Sequence, residues 1–187
     1  MTTPHLLLMG LRGSGKSTLA GALSRALNLP EVDLDRITPG LLECATVSEA
    51  WRKHGEAEFR RAETRALGEA LRGAPSVIAL GGGTPTAPGA DDMIREARRA
   101  GLARTVYLRC EPDVLRRRLQ SQPNSAQDRP SLTGTGFIEE IEQVFAARDP
   151  VYRRLADFML EGDRTIEESA ALILAWRRAD PSGGLIP

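Results

Sequence analysis

Short apolar runs alternate along this chain with longer segments in which apolar residues recur every three or four positions. The short runs are typical of buried strands and lie at residues 5–9, 31–34, 76–80, 103–110 and 157–160. The longer segments predict helices at residues 16–27, 47–72, 90–100, 112–121, 136–155 and 166–178. Strands that alternate with helices predict an α/β fold of three layers, with helices on both faces of a parallel sheet.

The length of the chain and two polar segments bound its domain organisation. With 187 residues, 41% of them hydrophobic, we expect a single domain over residues 1–179. Residues 120–136, QSQPNSAQDRPSLTGTG, are polar and carry one basic residue, Arg129. A polar segment of this length inside a compact domain is typical of a functional lid. The terminal DPSGGLIP, residues 180–187, is expected to be a disordered tail.

The charge balance excludes some classes of partner. Lys plus Arg and Asp plus Glu both number 25, so no overall basic excess favours nucleic acid or an anionic membrane. Any anionic ligand must therefore be held by a local cluster. Only Lys16 and Lys53 are lysines, so nearly all positive charge is arginine, which suits forked contacts to carboxylates and phosphates.

The cysteines and tryptophans indicate packing rather than chemistry. Cys44 and Cys110 lack CxxC spacing, so we predict buried thiols and neither a disulfide framework nor a zinc site. Trp51 and Trp176 are predicted to be helix-face aromatics without a further role. The first apolar run is too short for a signal peptide or a membrane span, which leads us to expect a cytoplasmic protein.

A phosphate-binding pattern follows the first predicted strand. Residues 10–17, GLRGSGKS, fit G-x-x-x-x-G-K-[ST] and lead into a predicted helix, as this motif requires. Glycines let successive N–H groups point into one concavity, and the helix adds its positive end. Lys16 can reach the β- and γ-phosphates, and the Ser17 hydroxyl can ligate Mg²⁺. Switches, motors, helicases and small-molecule kinases share this loop, so the acceptor side must decide among them.

Two aspartates end the second predicted strand. In VDLD, residues 32–35, alternation places Asp33 and Asp35 on the same side of the chain at the carboxyl edge of the sheet. One carboxylate can hold the water shell of Mg²⁺, while the other orients an acceptor hydroxyl and accepts its proton. The alternative is a helix cap after the strand, for which Asp35 is a suitable residue type.

Three further features indicate the acceptor. Arg60 and Glu63 share one helix face, where the carboxylate can lock the guanidinium toward a pocket; the alternative is a solvated charged face. The glycines of GGGT, residues 81–84, leave room for a ligand on the backbone and offer N–H groups to a carboxylate. Arg148 adds another forked donor. With Asp35 beside the hydroxyls, these residues predict a pocket for a small, polyhydroxylated carboxylic acid.

With these residues considered together, the chain resembles the shikimate kinases, small P-loop kinases of the nucleoside-monophosphate-kinase type. The resemblance extends from about residue 5 to 176 through GLRGSGKST, VDLD, GEAEFRRAE, LGGGT, DRPSL and RDPVY. It implies a five-stranded parallel sheet in the order 2-3-1-4-5, flanked by helices, with a lid and an acceptor-binding region at about residues 33–63. It also implies ATP-dependent phosphorylation of the 3-hydroxyl of shikimate, with Mg²⁺ as cofactor. We further expect a monomer.

The resemblance implies a role for each matching residue. The catalytic residues would be Lys16, Asp35 and the lid residue Arg129. ATP would be bound by Gly13, Ser14, Gly15, Lys16, Ser17, Thr18, Arg117 and Arg129. Ser17 would hold the metal directly, and Asp33 would hold it through water. Shikimate would be bound by Asp35, Arg60, Gly82, Gly83 and Arg148.

Three alternatives stay open. Arg116, Arg117 and Arg118 are consecutive, so the arginine that meets adenine is not decided. Residues 37–51 depart from the usual family pattern, which leaves a kinase of another small hydroxy or sugar acid, such as gluconate, as a rival. A regulatory module that binds nucleotide without catalysis is a rival from another class, and it would bind ATP without acceptor-stimulated release of ADP.

Overall fold

The computed structural model describes residues 3–121, 140–161 and 163–179. Arg129, nearly all of the predicted lid, the start of the helix predicted from residue 136 and the predicted tail lie outside these residues. The strands are β1 His5–Met9, β2 Glu31–Asp33, β3 Val77–Ala79, β4 Ala103–Arg109 and β5 Phe158–Glu161. The helices are α1 Lys16–Leu27, α2 Leu34–Ile37, α3 Val47–Arg72, α4 Ala90–Arg99, α5 Pro112–Gln120, α6 Ile141–Leu155 and α7 Ile166–Ala179. Short 3₁₀ turns span Thr38–Leu42 and Thr84–Thr86.

The strands form one five-stranded sheet in the order β2-β3-β1-β4-β5, and every pairing is parallel. This confirms the predicted fold class and strand order. The order reverses between β3 and β4, which lie on opposite sides of β1. In open parallel sheets, ligands bind at such a reversal beyond the carboxyl ends of the strands. The segments that follow β1, β2 and β3 therefore occupy the position expected for a site.

Alternation along the strands divides the main core between the two faces of the sheet. Leu6 and Leu8 of β1 pack with residues of α1 and α7, whereas Leu7 and Met9 pack with residues of α3, α4, α5 and α6. All four side chains are fully buried. A strand that is covered on both faces is apolar at nearly every position. For this reason the sequence predicts both ends of β1 correctly.

The second strand is shorter than predicted. It ends at Asp33, and the next residue begins the four-residue helix α2, so Asp35 is helical and strand alternation does not place it. The carboxylate of Asp33 accepts a hydrogen bond of 3.0 Å from the backbone N–H of Asp35. A capping aspartate satisfies a backbone donor at the start of a helix. The cap is therefore Asp33 and not Asp35.

Helix α3 contains a break that the periodicity did not predict. Gly55 has φ 77° and ψ 170°, well outside helical values, and side-chain-bearing residues rarely adopt this positive φ. The break turns the first part of α3 back toward the second. As a result the Trp51 ring, before the break, lies with its centroid 5.5 Å from that of Phe59, after it.

A small third core lies under the segment between β2 and α3. Its buried members, which belong to neither sheet core, are Leu42, Cys44, Ala50, Phe59 and Ala62. The segment thus carries its own packing inside the region predicted to bind the acceptor. Within the described parts of the chain, none of the helices combines the length and the apolar character needed to span a membrane.

Candidate active site

The loop between β1 and α1 has the geometry of a phosphate-binding loop. Gly15 caps the start of α1 with φ 92°, a left-handed conformation that favours glycine. The Lys16 side chain is buried and turns back over the loop, donating to the carbonyls of Gly10 at 2.8 Å and Leu11 at 3.0 Å. A lysine held over a helix N-terminus concentrates positive charge where a phosphate would lie.

The three consecutive arginines of α5 have separate surroundings. Arg118 donates to the carbonyls of Gly13 and Ser14 at 3.4 and 3.2 Å, and it pairs with Asp163 at 2.6 Å. Arg117 is 70% exposed and lies 3.7 Å from the same aspartate. Arg116 instead pairs with carboxylates on α5 and α6, at 2.6 and 3.0 Å. The arginine brought against the phosphate loop is therefore Arg118, the neighbour of the predicted Arg117.

One pocket lies between the phosphate loop and the acceptor segments. It brings together every residue predicted to bind the acceptor: Asp35, Arg60, Gly82, Gly83 and Arg148. Its wall also contains Glu63 and the loop residues Leu11 and Arg12. The remaining wall is apolar and consists of Val47, Trp51, Phe59, Leu115, Ile141 and Val144. An apolar wall with a few charged groups is typical of a small-molecule site.

Arg60 is held in place by its neighbours on α3. Its guanidinium donates to Glu63 at 2.7 Å and to Glu56 at 3.3 Å, and it lies 5.0 Å from the centre of the Trp51 ring. A Cβ added at Gly83 would lie 1.8 Å from Arg60 Nη1, so the guanidinium sits directly on the glycine backbone. The predicted pair of Arg60 and Glu63 is confirmed, and only glycine fits beneath it.

Glu63 provides a buried negative charge beside the pocket. Burial raises the pKa of Glu63, and the nearby charge of Asp35 raises it further, while Arg60 and the Thr84 hydroxyl, which donates at 2.9 Å, oppose that rise. The side chain is only 2% exposed. A buried carboxylate needs such partners because its desolvation is costly. Arg60 and Glu63 are therefore mutually dependent.

The glycine turn after β3 is tied to helix α6. Arg148 donates to the carbonyl of Gly82 at 2.7 Å, and the hydroxyl of the fully buried Tyr152 donates to the same oxygen. The N–H and C=O groups of one peptide plane point in opposite directions. Because the Gly82 carbonyl faces α6, the N–H of Gly83 points away from that helix. The contacts from α6 thus fix the orientation of the peptide between Gly82 and Gly83. In this orientation the Gly83 N–H can serve as a donor on the side away from α6.

Trp51 and Arg12 are two of the pocket-lining residues that sequence reasoning missed. Trp51, predicted to have only a packing role, forms part of the wall because the break at Gly55 directs it there. Arg12 has no predicted role, yet it lines the pocket, and its backbone N would lie 3.5 Å from a Cβ added at Gly82. The signal for Arg12 was present, since an arginine in that loop is itself a candidate anion ligand.

Comparisons with known proteins show which family this chain belongs to. The family model described as shikimate kinase matches residues 12–177. The chain is 40% identical to a shikimate kinase of Rhodopirellula baltica over 95% of this chain and 91% of the relative. The structure matches a shikimate kinase of Acinetobacter baumannii in complex with shikimate, with a TM-score of 0.83, 25% identity, and coverage of 96% of this chain and 95% of that one. A shikimate kinase of Bacteroides thetaiotaomicron matches with a TM-score of 0.78, 33% identity, and coverage of 94% and 98%. This chain belongs to the shikimate kinase family.

Proposed function

We propose that this protein transfers the γ-phosphoryl group of ATP to the 3-hydroxyl of shikimate, giving shikimate 3-phosphate and ADP. The observation that carries the proposal is the pocket that joins Asp35, Arg60 and Arg148 beside the phosphate loop. Two guanidinium groups and one carboxylate match an acceptor that has a carboxylate at one end and hydroxyls at the other. Family membership favours shikimate over gluconate and a catalytic protein over a regulatory module.

In this mechanism, arginines bind the carboxylate of the acceptor, and an aspartate aligns its 3-hydroxyl. Arg60 and Arg148 bind the carboxylate, together with backbone groups of Gly82 and Gly83. Asp35 orients the 3-hydroxyl toward the γ-phosphorus and takes its proton as the new P–O bond forms and the bond to the β–γ bridging oxygen breaks. Alignment supplies much of the catalysis in phosphoryl transfer, because the protein has little covalent chemistry to perform.

The nucleotide side neutralises the charge of the transferred group. The phosphates lie on the loop amides and are contacted by Gly13, Ser14, Gly15, Lys16, Ser17 and Thr18. Lys16 exchanges its carbonyl partners for phosphate oxygens, and the lid residue Arg129 adds a second positive charge over the transferring group. Adenine is contacted by Arg117 or by Arg118, and the bonds of Arg118 to the loop support the latter.

Mg²⁺ is the metal that fits the residues present. Ser17 offers a hydroxyl at the start of α1, and Asp33 offers a buried carboxylate fixed by its bond to the Asp35 N–H. Hard oxygen donors that supply one or two ligands suit Mg²⁺, whose shell is completed by water and phosphates. When bound, the ion would withdraw charge from the β- and γ-phosphate oxygens. Ser17 would ligate it directly and Asp33 through water.

The protein is proposed to act as a monomer in the cytoplasm, where ATP is available. Sedimentation across a range of protein concentrations, run alongside activity per chain, tests this. Activity that rises with association would contradict it.

The function is tested by acceptor-stimulated release of ADP. The purified protein is assayed with ATP and Mg²⁺ in the presence of shikimate, gluconate or no acceptor. We expect shikimate alone to raise the rate of ADP formation by at least about 100-fold over the acceptor-free rate. A higher rate of ADP formation with gluconate than with shikimate would identify gluconate as the acceptor. ATP binding without stimulation by any hydroxy acid would instead support the regulatory alternative.

Replacing Arg60 with Ala should weaken the binding of the acceptor and leave the binding of ATP largely intact. The lost charge-assisted bonds are expected to raise the Kd for shikimate about 30-fold, while the Kd for ATP changes less than about threefold. Calorimetric titration with each ligand measures both values. An unchanged affinity for shikimate would contradict the role of Arg60.

A second substitution separates binding from stability in this experiment. Without Arg60, the buried Glu63 lacks its closest positive partner, which should lower the free energy of unfolding by about 2–3 kcal/mol at neutral pH. Adding Glu63→Gln to Arg60→Ala removes that buried charge. We expect the double variant to regain stability in denaturant titrations without regaining affinity for shikimate.

A further inference from the structure

Asp149 connects helix α6 to the central sheet. One carboxylate oxygen accepts hydrogen bonds from the Tyr107 hydroxyl at 2.8 Å and from Arg109 Nε at 3.0 Å, and both donors lie on β4. The other oxygen accepts from Arg153 Nε at 2.7 Å, one turn further along α6. Asp149 is 13% exposed. A carboxylate with three donors, two of them charged, is a strong and directional contact.

Burial alone would raise the pKa of Asp149, but these donors lower the pKa by more. Bonds from Arg153 and Tyr107, together with the positive charge of Arg109, hold the pKa of Asp149 below its ordinary value. The side chain is therefore ionised at neutral pH. An ionised carboxylate keeps all three donors in place, whereas a neutral side chain has fewer acceptor sites to offer them.

The contacts of Asp149 lead directly to the acceptor pocket. Arg148, the preceding residue, and Tyr152, one turn later, both donate to the carbonyl of Gly82. The Tyr107 ring, whose hydroxyl holds Asp149, packs edge-on against Tyr152 with centroids 5.2 Å apart. Residues 148–152 are thus attached to the sheet at two places, one at β4 and one at the glycine turn.

Pro150 makes these side-chain contacts more important. Proline has no backbone N–H, so α6 lacks the hydrogen bond that residue 150 would make to the carbonyl four residues earlier. The helix is less constrained from within beside Arg148. The position of α6 beside Arg148 therefore depends more on side-chain contacts to the sheet. Asp149 makes the contacts to β4.

We propose that Asp149 is a positioning residue, which anchors α6 to β4 so that Arg148 reaches the acceptor pocket. This inference rests on the proposed function for the ligand that Arg148 binds. Asp149 itself does not line the pocket. Its effect on the reaction passes through Arg148.

The test is Asp149→Asn in the full chain, with steady-state kinetics for both substrates. The substitution keeps the size of the side chain and removes its charge. We expect KM for shikimate to rise about tenfold, with KM for ATP within about twofold of the wild-type value and kcat reduced less than about threefold. A purely structural loss would instead lower the active fraction and leave both KM values unchanged.

A matched control lies on the same helix. Asp91 of α4 accepts from Arg154 of α6 at 2.9 Å, so Asp91→Asn also removes a carboxylate that ties α6 to a neighbour. That contact is on α4 and does not involve the pocket, so KM for shikimate should stay within about twofold of wild type. An equal rise in both variants, or no rise in Asp149→Asn, would overturn the inference.

Two further measurements separate this inference from the function on which it rests. Tyr107→Phe removes one donor to Asp149 without changing charge; it should raise KM for shikimate less than Asp149→Asn, and the double variant should show a non-additive effect. Nitrogen-15 NMR of the Arg148 guanidinium in the ligand-free protein should show restricted rotation that is lost in Asp149→Asn. If shikimate is not phosphorylated at all, the function fails, and the NMR result alone supports or overturns the anchoring of Arg148.

Discussion

Lys16→Met is expected to lower kcat by about 1000-fold or more. The ammonium lies over the phosphate loop, within hydrogen-bond distance of the Gly10 and Leu11 carbonyls, and methionine replaces it with an apolar side chain of similar length. Because the chain can still pack that side chain over the loop, we expect circular dichroism to show a folded protein. Steady-state release of ADP with saturating shikimate measures the loss.

The only other lysine supplies the control. Lys53 lies exposed on α3, away from the pocket wall, and Lys53→Met removes the same charge from the same residue type. Its kcat should remain within about twofold of the wild-type value, as for most surface substitutions. A Lys16→Met variant with a near-normal rate would refute the assignment of the phosphate loop.

Asp35→Asn should reduce kcat by about 100- to 10,000-fold, because the amide can still contact a hydroxyl but cannot accept its proton. Affinity for ATP should change little, since the Asp35 side chain lies on the acceptor side of the pocket. Single-turnover experiments with rapid quench separate the chemical step from substrate binding. If the chemical step is unchanged while only the affinity for shikimate falls, Asp35 binds the acceptor and is not its base.

An exposed aspartate serves as the control for this second substitution. Asp92, in the first turn of α4, has a side chain that is 75% exposed and paired with Arg95. Asp92→Asn should leave kcat within about twofold of wild type, since exposed ion pairs contribute little. A similar loss in both variants would indicate a general effect of lost negative charge.

The fold could be predicted largely because the strands are buried on both sides. β1 has the predicted ends, and each end of the other strands agrees within one residue. The strand order came from the resemblance to a family, because apolar runs alone do not specify which strands are neighbours. The break at Gly55 was missed because one glycine in a helical pattern is tolerated more often than it breaks a helix.

The acceptor pocket could be predicted in composition but not in detail. Asp35 lines the pocket from the short helix α2 and not from a strand. The strand ends early because the Asp33 side chain caps the start of that helix. Trp51 enters the wall only through the conformation of a glycine four residues later. Arg118 could not be separated from its neighbours, because its contact to Ser14 spans 104 positions of sequence. Contacts of this kind depend on tertiary packing, which local patterns do not contain.

The small core beneath the acceptor segment has an evolutionary consequence. Phe59 and its four buried neighbours share no member with the two cores that stabilise the sheet. Of the five, Phe59 lines the acceptor pocket, so a substitution at Phe59 alters the wall that faces the acceptor without replacing a member of either sheet core. Lineages, or libraries in the laboratory, can therefore vary the wall of the acceptor pocket at this position while the residues of both sheet cores stay unchanged.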